Sequence, residues 1–561
     1  MGAGYSTVTP PPSQVSATSV AQTVWSYSPR SLTDIQNLVS AIQNNDPSLV
    51  SSLSDLQYVP VPYYAGQVTA DQVAAFIDNA IRNYNMIGAF AGFITNNPFN
   101  LWTPNTVGAF LSSLNMSQTS VALLLGLAGA TQMAQALSNL SGNYTNAVIA
   151  FSLLVAPSTG ANVLSNPNMP VTQAASIINN ALISVAPSYP TNVAQLLSLV
   201  SSSALANINA YANVPATTLN QVISNAAMAA TAAQAILYGL ANNYYYNMWV
   251  NIVAQNAGST TISANVTISS PLYSQNLTVA SGVTVTCGTT TCFFVAQSFN
   301  NYGTIVSPNG ATGAPSPGAD IGGGGTGGGG IVVIAATAAL GNLNVAGSHG
   351  GVGNSGATTA ANGGGGGAGV FYVVTGVVVP GGGSGAGGGK AGPAGVNGGG
   401  GGGSGTYDGG GGGSATLNAF ASANSMLTYI IYGLSDWWLI NVAGKAPSTT
   451  TQLTYLHGSG GGAGAGVAAA GNAGGGGGGG GGGEVVVYGF NIVSGTINAV
   501  GGTGGGSPGS GGGGGGGGLV FVLYGATSGS VTANVAGGAG QSGGGAGASG
   551  TAYIAAVTVN G

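Results

Sequence analysis

A chain of 561 residues is longer than one hydrophobic core requires, so two or three domains are expected. Only 2% of the residues are charged and 106 are glycine, where ordinary soluble proteins carry about 25% charge. At 44% hydrophobic the chain is too apolar for whole-chain disorder, and its four basic residues, Arg30, Arg82, Lys390 and Lys445, form no patch that would hold a nucleic acid. The most apolar stretch, Val121 to Ala130, ends well short of the roughly 20 residues a membrane helix needs, so no transmembrane span is expected.

A surface built from Ser, Thr, Asn, Gln, Tyr and backbone amide hydrates through hydrogen bonds that do not titrate. With nine carboxylates, the chain has little stability to lose when Asp and Glu protonate. The composition therefore points to an acidic exterior, and the expected location is extracellular. The first residues, MGAGYSTVTPPP, show no basic or apolar region of a secretory signal, so export by another route, such as assembly into a virus particle, is expected.

Residues 1–30 read as an N-terminal arm. From 31 to 256 the apolar residues recur at helical spacing between proline and asparagine clusters, which predicts an α-helical domain. Leu32, Ile35, Leu38, Val39 and Ile42 fall on one face behind a Ser31/Asp34 capping box, and Thr69 with Gln72 repeats the device. Tyr244, Tyr245, Tyr246 and Trp249 close this half and are expected at a domain junction or an oligomer interface.

Between 257 and 320 the spacing changes to alternation, in TTISANVTISS, QNLTVASGVTVTC and FFVAQSFNNYGTIVS. These are short strands that suit the entry rungs of a parallel β-helix; a β-sandwich is the alternative. Cys287 and Cys292, in CGTTTC, suit a local disulfide in an oxidising compartment.

Residues 321–561 alternate glycine runs with apolar strands, and the strands repeat. IVVI at 331 is followed by GNLNVAG, TYIIYG at 428 by LINVAG, VVVYG at 485 by GTINAVGG, and VFVLYG at 520 by SVTANVAGG; VFYVV at 370 and TAYIAA at 551 look like reduced copies. A unit of strand, turn, second strand and glycine loop predicts a stacked repeat with a shared core. The recurrent Tyr432, Tyr488 and Tyr524 are expected to stack on neighbouring rungs. The glycine runs themselves admit two readings: solvated loops, or polyproline-II-like segments that exchange backbone hydrogen bonds because no side chain intervenes. The fold class expected is thus α+β multidomain, a helical domain followed by a glycine-rich, β-solenoid-like repeat.

Neither a GxGxxG unit between strand and helix nor a GxxxxGK[ST] sequence is present, so nucleotide binding is not expected. Asp320, Asp408, Asp436, Glu484, His349 and His457 form no recognisable catalytic or metal-binding constellation; no enzyme activity, cofactor or metal is expected. Aromatic faces with neutral polar groups suit recognition of a glycan or a protein surface. Asp436, Trp437 and Trp438, read as a turn of the second repeat, are the leading candidates, with Tyr407, Asp408 and His457 behind them.

The near absence of charge, the Ser/Thr/Asn/Tyr surface and the VVVYG/NVAG/polyglycine units together resemble virion surface proteins of acidophilic, hyperthermophilic archaeal viruses, in particular tail-spike or vertex-spike components. The glycine runs are also similar to the polyglycine receptor-binding tips of some bacteriophage adhesins. The resemblance implies host attachment: the helical domain holds other virion proteins, the glycine-rich domain points outward to a host receptor, and the spike is a homo-oligomer. A cellular surface-layer or filament protein and a polysaccharide-degrading spike are the alternatives.

Overall fold

The computed structural model describes residues 190–202, 205, 214–308, 324–352, 370–374, 423–447, 449–450, 453–457, 477–506, 511–541 and 543–560, with a few short stretches before residue 190. Both capping boxes, the Val121–Ala130 stretch, and Asp320, Tyr407 and Asp408 lie outside these residues. The chain divides into two compact units, residues 1–239 and 240–561.

In the first unit α1 (Pro190–Leu199) and α2 (Ala216–Ser224) pack through Val193, Leu196, Leu197, Leu219, Val222 and Ile223, all buried and all at helical spacing. Ser198 Oγ donates to Ala227 O at 2.9 Å and accepts the Ala229 N–H at 2.8 Å. It thereby fixes the turn that leads into α3 (Ala230–Asn242).

The second unit begins within α3, so α4 (Tyr246–Ala254), read from sequence as the end of the helical domain, belongs with the sheet. That sheet has ten strands and every pairing in it is parallel. β1 (Ser259–Ile262), β3 (Leu272–Val279) and β5 (Thr291–Asn301) form one strip; β2 (Val266–Ile268), β4 (Thr284–Cys287) and β6 (Thr304–Val306) form a second. β7 (Gly330–Asn344) is long enough to serve both: its first part pairs with β5 and its last residues with β6. β10 (Glu484–Asn498) and β11 (Leu519–Asn534) stack on it in turn, and β12 (Thr551–Ala556) covers only the first part of β11.

Two inward columns fill the space between the strips. Leu272, Phe294, Val333, Val487, Val522 and Ile554 are in register along one; Val285, Ile305, Leu343, Ile497 and Ala533 along the other. Their buried members belong to a single core cluster. The outward face of the first strip, Phe293, Val332, Val486 and Phe521, is also buried, and α4 packs on β3, β5 and β7. Burial on both faces is why IVVI, VVVY and VFVL read as unbroken apolar runs, while the second strip, open on one side, alternates. The Cys287–Cys292 disulfide forms as expected and joins β4 to β5, one strip to the other.

The asparagine of the NVAG-like motif ends each strand. Asn344 Oδ1 accepts the Ala346 N–H at 3.0 Å and Asn534 Oδ1 the Ala536 N–H at 3.2 Å, an Asx turn that releases the chain into a glycine run.

Those runs are ordered. Segments 345–352, 499–506 and 535–541 leave the second strip; segments 324–330, 477–483, 511–518 and 543–550 return to the first. Within each layer neighbouring runs are parallel: Gly479 and Gly482 donate to Gly513 and Gly516, and Gly501 and Gly504 to Ala536 and Ala539, all at 2.9 Å. Between layers they are antiparallel: Gly477, Gly480 and Gly483 donate to Gly351, Ser348 and Val345 at 2.8–2.9 Å. Donors recur every third residue, the period of a polyproline-II helix.

Packing this close leaves no room for Cβ. One added at Gly480 would lie 1.9 Å from Thr326 O, at Gly502 1.9 Å from Ser348 O, and at Gly515 2.1 Å from Gly480 O. In the interior runs two positions of every three are blocked in this way, 479 with 480, 482 with 483, 514 with 515, 517 with 518. In runs 345–352 and 543–550 the block falls only on every third, at 347 and 350 and at 544, 547 and 550. The sequence follows this rule: Ala346, Ser348 and His349 at one edge and Ala546, Ala548 and Ser549 at the other fill the free positions.

Three sequence readings are corrected here. The stretch from Thr428 is not a strand but part of α5 (Ala423–Asn441), because Met426, Ile430, Leu434 and Trp438, with Leu427, Ile431 and Leu439, recur at four-residue spacing and are buried together. Its copy also lacks the glycine run that precedes β7, β10 and β11. VFYVV forms β8 (Val370–Val374), which pairs antiparallel with β9 (Leu453–His457) in a separate two-stranded sheet. The tyrosines do not stack: Tyr432 lies on α5, and Tyr488 stands opposite Leu523 while Tyr524 stands opposite Gly489, since VFVLYG places one more residue before its tyrosine.

We expect Gly480→Ala or Gly515→Ala to destabilise the protein by about 3 kcal/mol or more, as overpacking against rigid backbone does. Ala539→Ser, at a position that already carries Cβ and is exposed, should stay within about 0.5 kcal/mol. Thermal or denaturant unfolding of the three variants measures both.

Candidate recognition surface

The aromatic residues singled out in the sequence are brought together, but inside the unit. Trp249 on α4 donates its indole N–H to Ser435 Oγ at 2.8 Å, and Ser435 Oγ donates to Ile431 O one turn earlier on α5. Tyr246 is fully buried, its hydroxyl 3.2 Å from Thr428 Oγ1, its ring edge-on to Tyr488 at 5.3 Å. Tyr488 Oη in turn donates to Asn247 Oδ1 at 3.2 Å. Tyr273 on β3 donates to Leu434 O at 2.7 Å and stacks on Trp437 at 5.6 Å and 17°. Tyr432 donates to Asn242. These contacts clamp α5 to α4 and to the first strip.

Asp436 and Trp438 are therefore corrected as recognition residues: at 2% and 1% exposure neither can meet a surface partner. Both were read as lying in a turn, and the helix turns them inward. Trp437 is partly exposed but spends its face on Tyr273. His457 is the last residue of β9, opposite Val370. Tyr246 and Trp249 are junction residues within the second unit, between α4, α5 and the sheet. Tyr245 precedes α4, and Tyr244, with φ 61°, makes the turn between α3 and α4. Among the described residues no helix is long and apolar enough to cross a membrane, and no group of His, Cys, Asp or Glu is arranged for a metal.

The polar side chains that do face outward come from the second strip and the glycine bundle. Thr284, Thr304, Asn342, Thr496 and Thr532 stand in register across five neighbouring strands. Two residues further on, Thr267, Thr286, Val306, Asn344, Asn498 and Asn534 form a second column on the same face. Adjacent strands of a parallel sheet are about 4.8 Å apart, so the first column repeats hydroxyls and amides at that spacing, and the second does so on either side of Val306. Asn498 Nδ2 donates to Asn342 Oδ1 at 3.3 Å and Asn342 Nδ2 to Thr304 Oγ1 at 3.4 Å, which ties neighbouring strands together.

A second cluster stands on the bundle. Thr326, Ser348, His349 and Thr503 occupy the free positions of three adjacent runs. Ser348 Oγ accepts the Thr326 N–H at 2.7 Å, and His349 Nδ1 accepts the Thr503 N–H at 3.2 Å and lies 2.6 Å from Thr503 Oγ1. The Thr and Asn columns offer donors and acceptors from hydroxyl and amide groups. Sequence reading missed both sets, although the signal was there: NLN, TIN and TAN occupy the same offset before each outgoing glycine run.

Burial holds the phenols of the aromatic clamp neutral: it pushes Tyr246 up to about 12 and raises Tyr488, Tyr273 and Tyr432 above their ordinary value of 10.0. Below pH about 10 neither folded nor unfolded chain ionises these groups and nothing is lost. Above it the unfolded chain sheds its protons first, so stability falls as pH rises toward about 12. We expect the melting temperature to drop steeply across that alkaline window. Ser435→Ala, which strands the buried Trp249 N–H, should cost about 1–3 kcal/mol in unfolding experiments at neutral pH.

No family model, curated protein or solved structure matches this chain.

Proposed function

We propose that this chain is a non-catalytic structural protein of an exposed surface in an acidic environment, a virion spike that attaches to a host cell. Its second unit acts as a β-solenoid whose rungs continue into a polyglycine tip, and its N-terminal helical domain anchors it to other virion proteins. The observation that carries this reading is the glycine bundle: a rigid extension held by backbone hydrogen bonds and steric exclusion, with no Asp, Glu, Lys or Arg among the described residues of its runs. An interior protein has no need of such a projection. A spike that meets its receptor outside the cell has need of one that keeps its shape there.

The neutral Thr/Asn columns support an uncharged polar receptor, the chemistry of a surface glycan, over a charged one. Hydrogen bonds between neutral groups persist in acid, whereas carboxylate pairing does not.

Labelled protein incubated at about pH 3 with envelopes of acidophilic archaeal cells tests the reading. We expect saturable binding, competed by released envelope glycans, with no reducing ends produced. Release of reducing ends makes the chain a polysaccharide-degrading spike; regular lattices of the protein alone, without envelope binding, make it a cellular surface-layer component. Either result overturns the proposal.

A further inference from the structure

The stack of rungs ends abruptly at β12. Both apolar columns of the first strip run out there: the inward one passes from Val522, fully buried, to Ile554 at 43% exposure, and the outward one from Phe521 at 2% to Tyr553 at 47%. Among the described residues β12 pairs with β11 alone, and along its other edge Ala552, Ile554 and Ala556 are exposed and meet no described strand. Proteins ordinarily protect such an edge with lysine, proline or a bulge. Here the segment from Leu519 to Ala556 holds no charged residue and no proline, and the β11–β12 pairing runs without a register break. The adjoining glycine run is finished at the same end by Ala546, Ala548 and Ser549, so the bundle is closed where the sheet is left open.

We propose that a second copy of this chain completes the sheet, β12 pairing antiparallel with β12 of the partner subunit about a two-fold axis at Ile554. An isologous contact of this kind joins an edge to itself. Identical charged edges would repel; this one carries no charge, so it is compatible with itself. Opposed residues in an antiparallel pair share a face, so Ile554 meets Ile554 of the partner subunit and the inward column continues across the axis. Head-to-tail growth onto the other end of the sheet fits less well: β1 and β2 have only 4 and 3 residues, and β1 offers Ser259, Thr260 and Thr261, so no apolar edge of matching length meets β12. The inference stands apart from the attachment reading, since the edge is the same whatever the surface it serves.

Sedimentation of the purified full chain over a range of concentrations tests it, together with Ile554→Lys and Ile554→Cys. The unaltered chain should be a dimer, and Ile554→Lys should be monomeric with a melting temperature within a few degrees of the parent's in dilute solution. Ile554→Cys should form a covalent dimer on mild oxidation. A monomer at every concentration, filaments or higher rings, or a dimer that Ile554→Lys leaves intact and Ile554→Cys does not cross-link would each overturn the proposal. Tyr553→Lys, on the other face of the strand, guards against a folding defect peculiar to position 554: it too should dissociate the dimer while preserving the fold.

Discussion

Everything distinctive about the second unit depends on one steric fact, the absence of Cβ at the points where two glycine runs touch. Ordering a residue costs about 1–2 kcal/mol of backbone entropy, and glycine loses more than any other. A backbone hydrogen bond returns only about 0.5–1.5 kcal/mol. A lone glycine run therefore has no reason to order. It orders here because it is bonded on several sides at once and because its ends are already fixed, Gly483 leading directly into β10 and Gly518 into β11. The sheet nucleates the bundle, and the bundle extends the two layers of the sheet without side chains.

This dependence explains the composition. Where a run has neighbours on all sides, two residues of three must be glycine; where one side is open, one of three suffices, and Ser, Ala, Thr and His appear. The packing thus sets which positions must be glycine, and Thr326, Ser348, His349, Thr503 and Ala539 stand at positions it leaves free. Low charge belongs to the same design. The interior of the bundle has no place for a charged side chain, and the Thr/Asn columns tie rungs together with amide and hydroxyl groups that keep their state in acid.

Much of this was legible in the sequence, for physical reasons that can be named. Strands at 331, 485 and 520 were readable because burial on both faces writes unbroken apolar runs, and the asparagine that ends a strand recurs because the Asx turn needs its side chain. The disulfide was readable from spacing. TYIIYG was misread because its apolar letters and closing YG, shared with the true strands, outweighed the four-residue spacing around them and the missing glycine run ahead of them. Asp436 and Trp438 were misplaced as a consequence, since a turn exposes what a helix buries. Whether glycine runs pack or float was open in sequence terms, because the deciding quantity, the distance from one run to the next, is set by the register of strands far apart in the chain.

Residue-resolved amide hydrogen exchange tests the packing of these runs most directly. If they are bonded as described, the amides of Gly477, Gly479, Gly480, Gly482 and Gly483, each a hydrogen-bond donor, will exchange slowly, and those of Gly478 and Gly481 markedly faster. The same three-residue alternation should recur between 512 and 518, where 513 and 516 are the faster pair. Uniformly fast exchange across both runs would contradict the account, for it would mean that the glycine segments are solvated loops and that the sheet carries no tip.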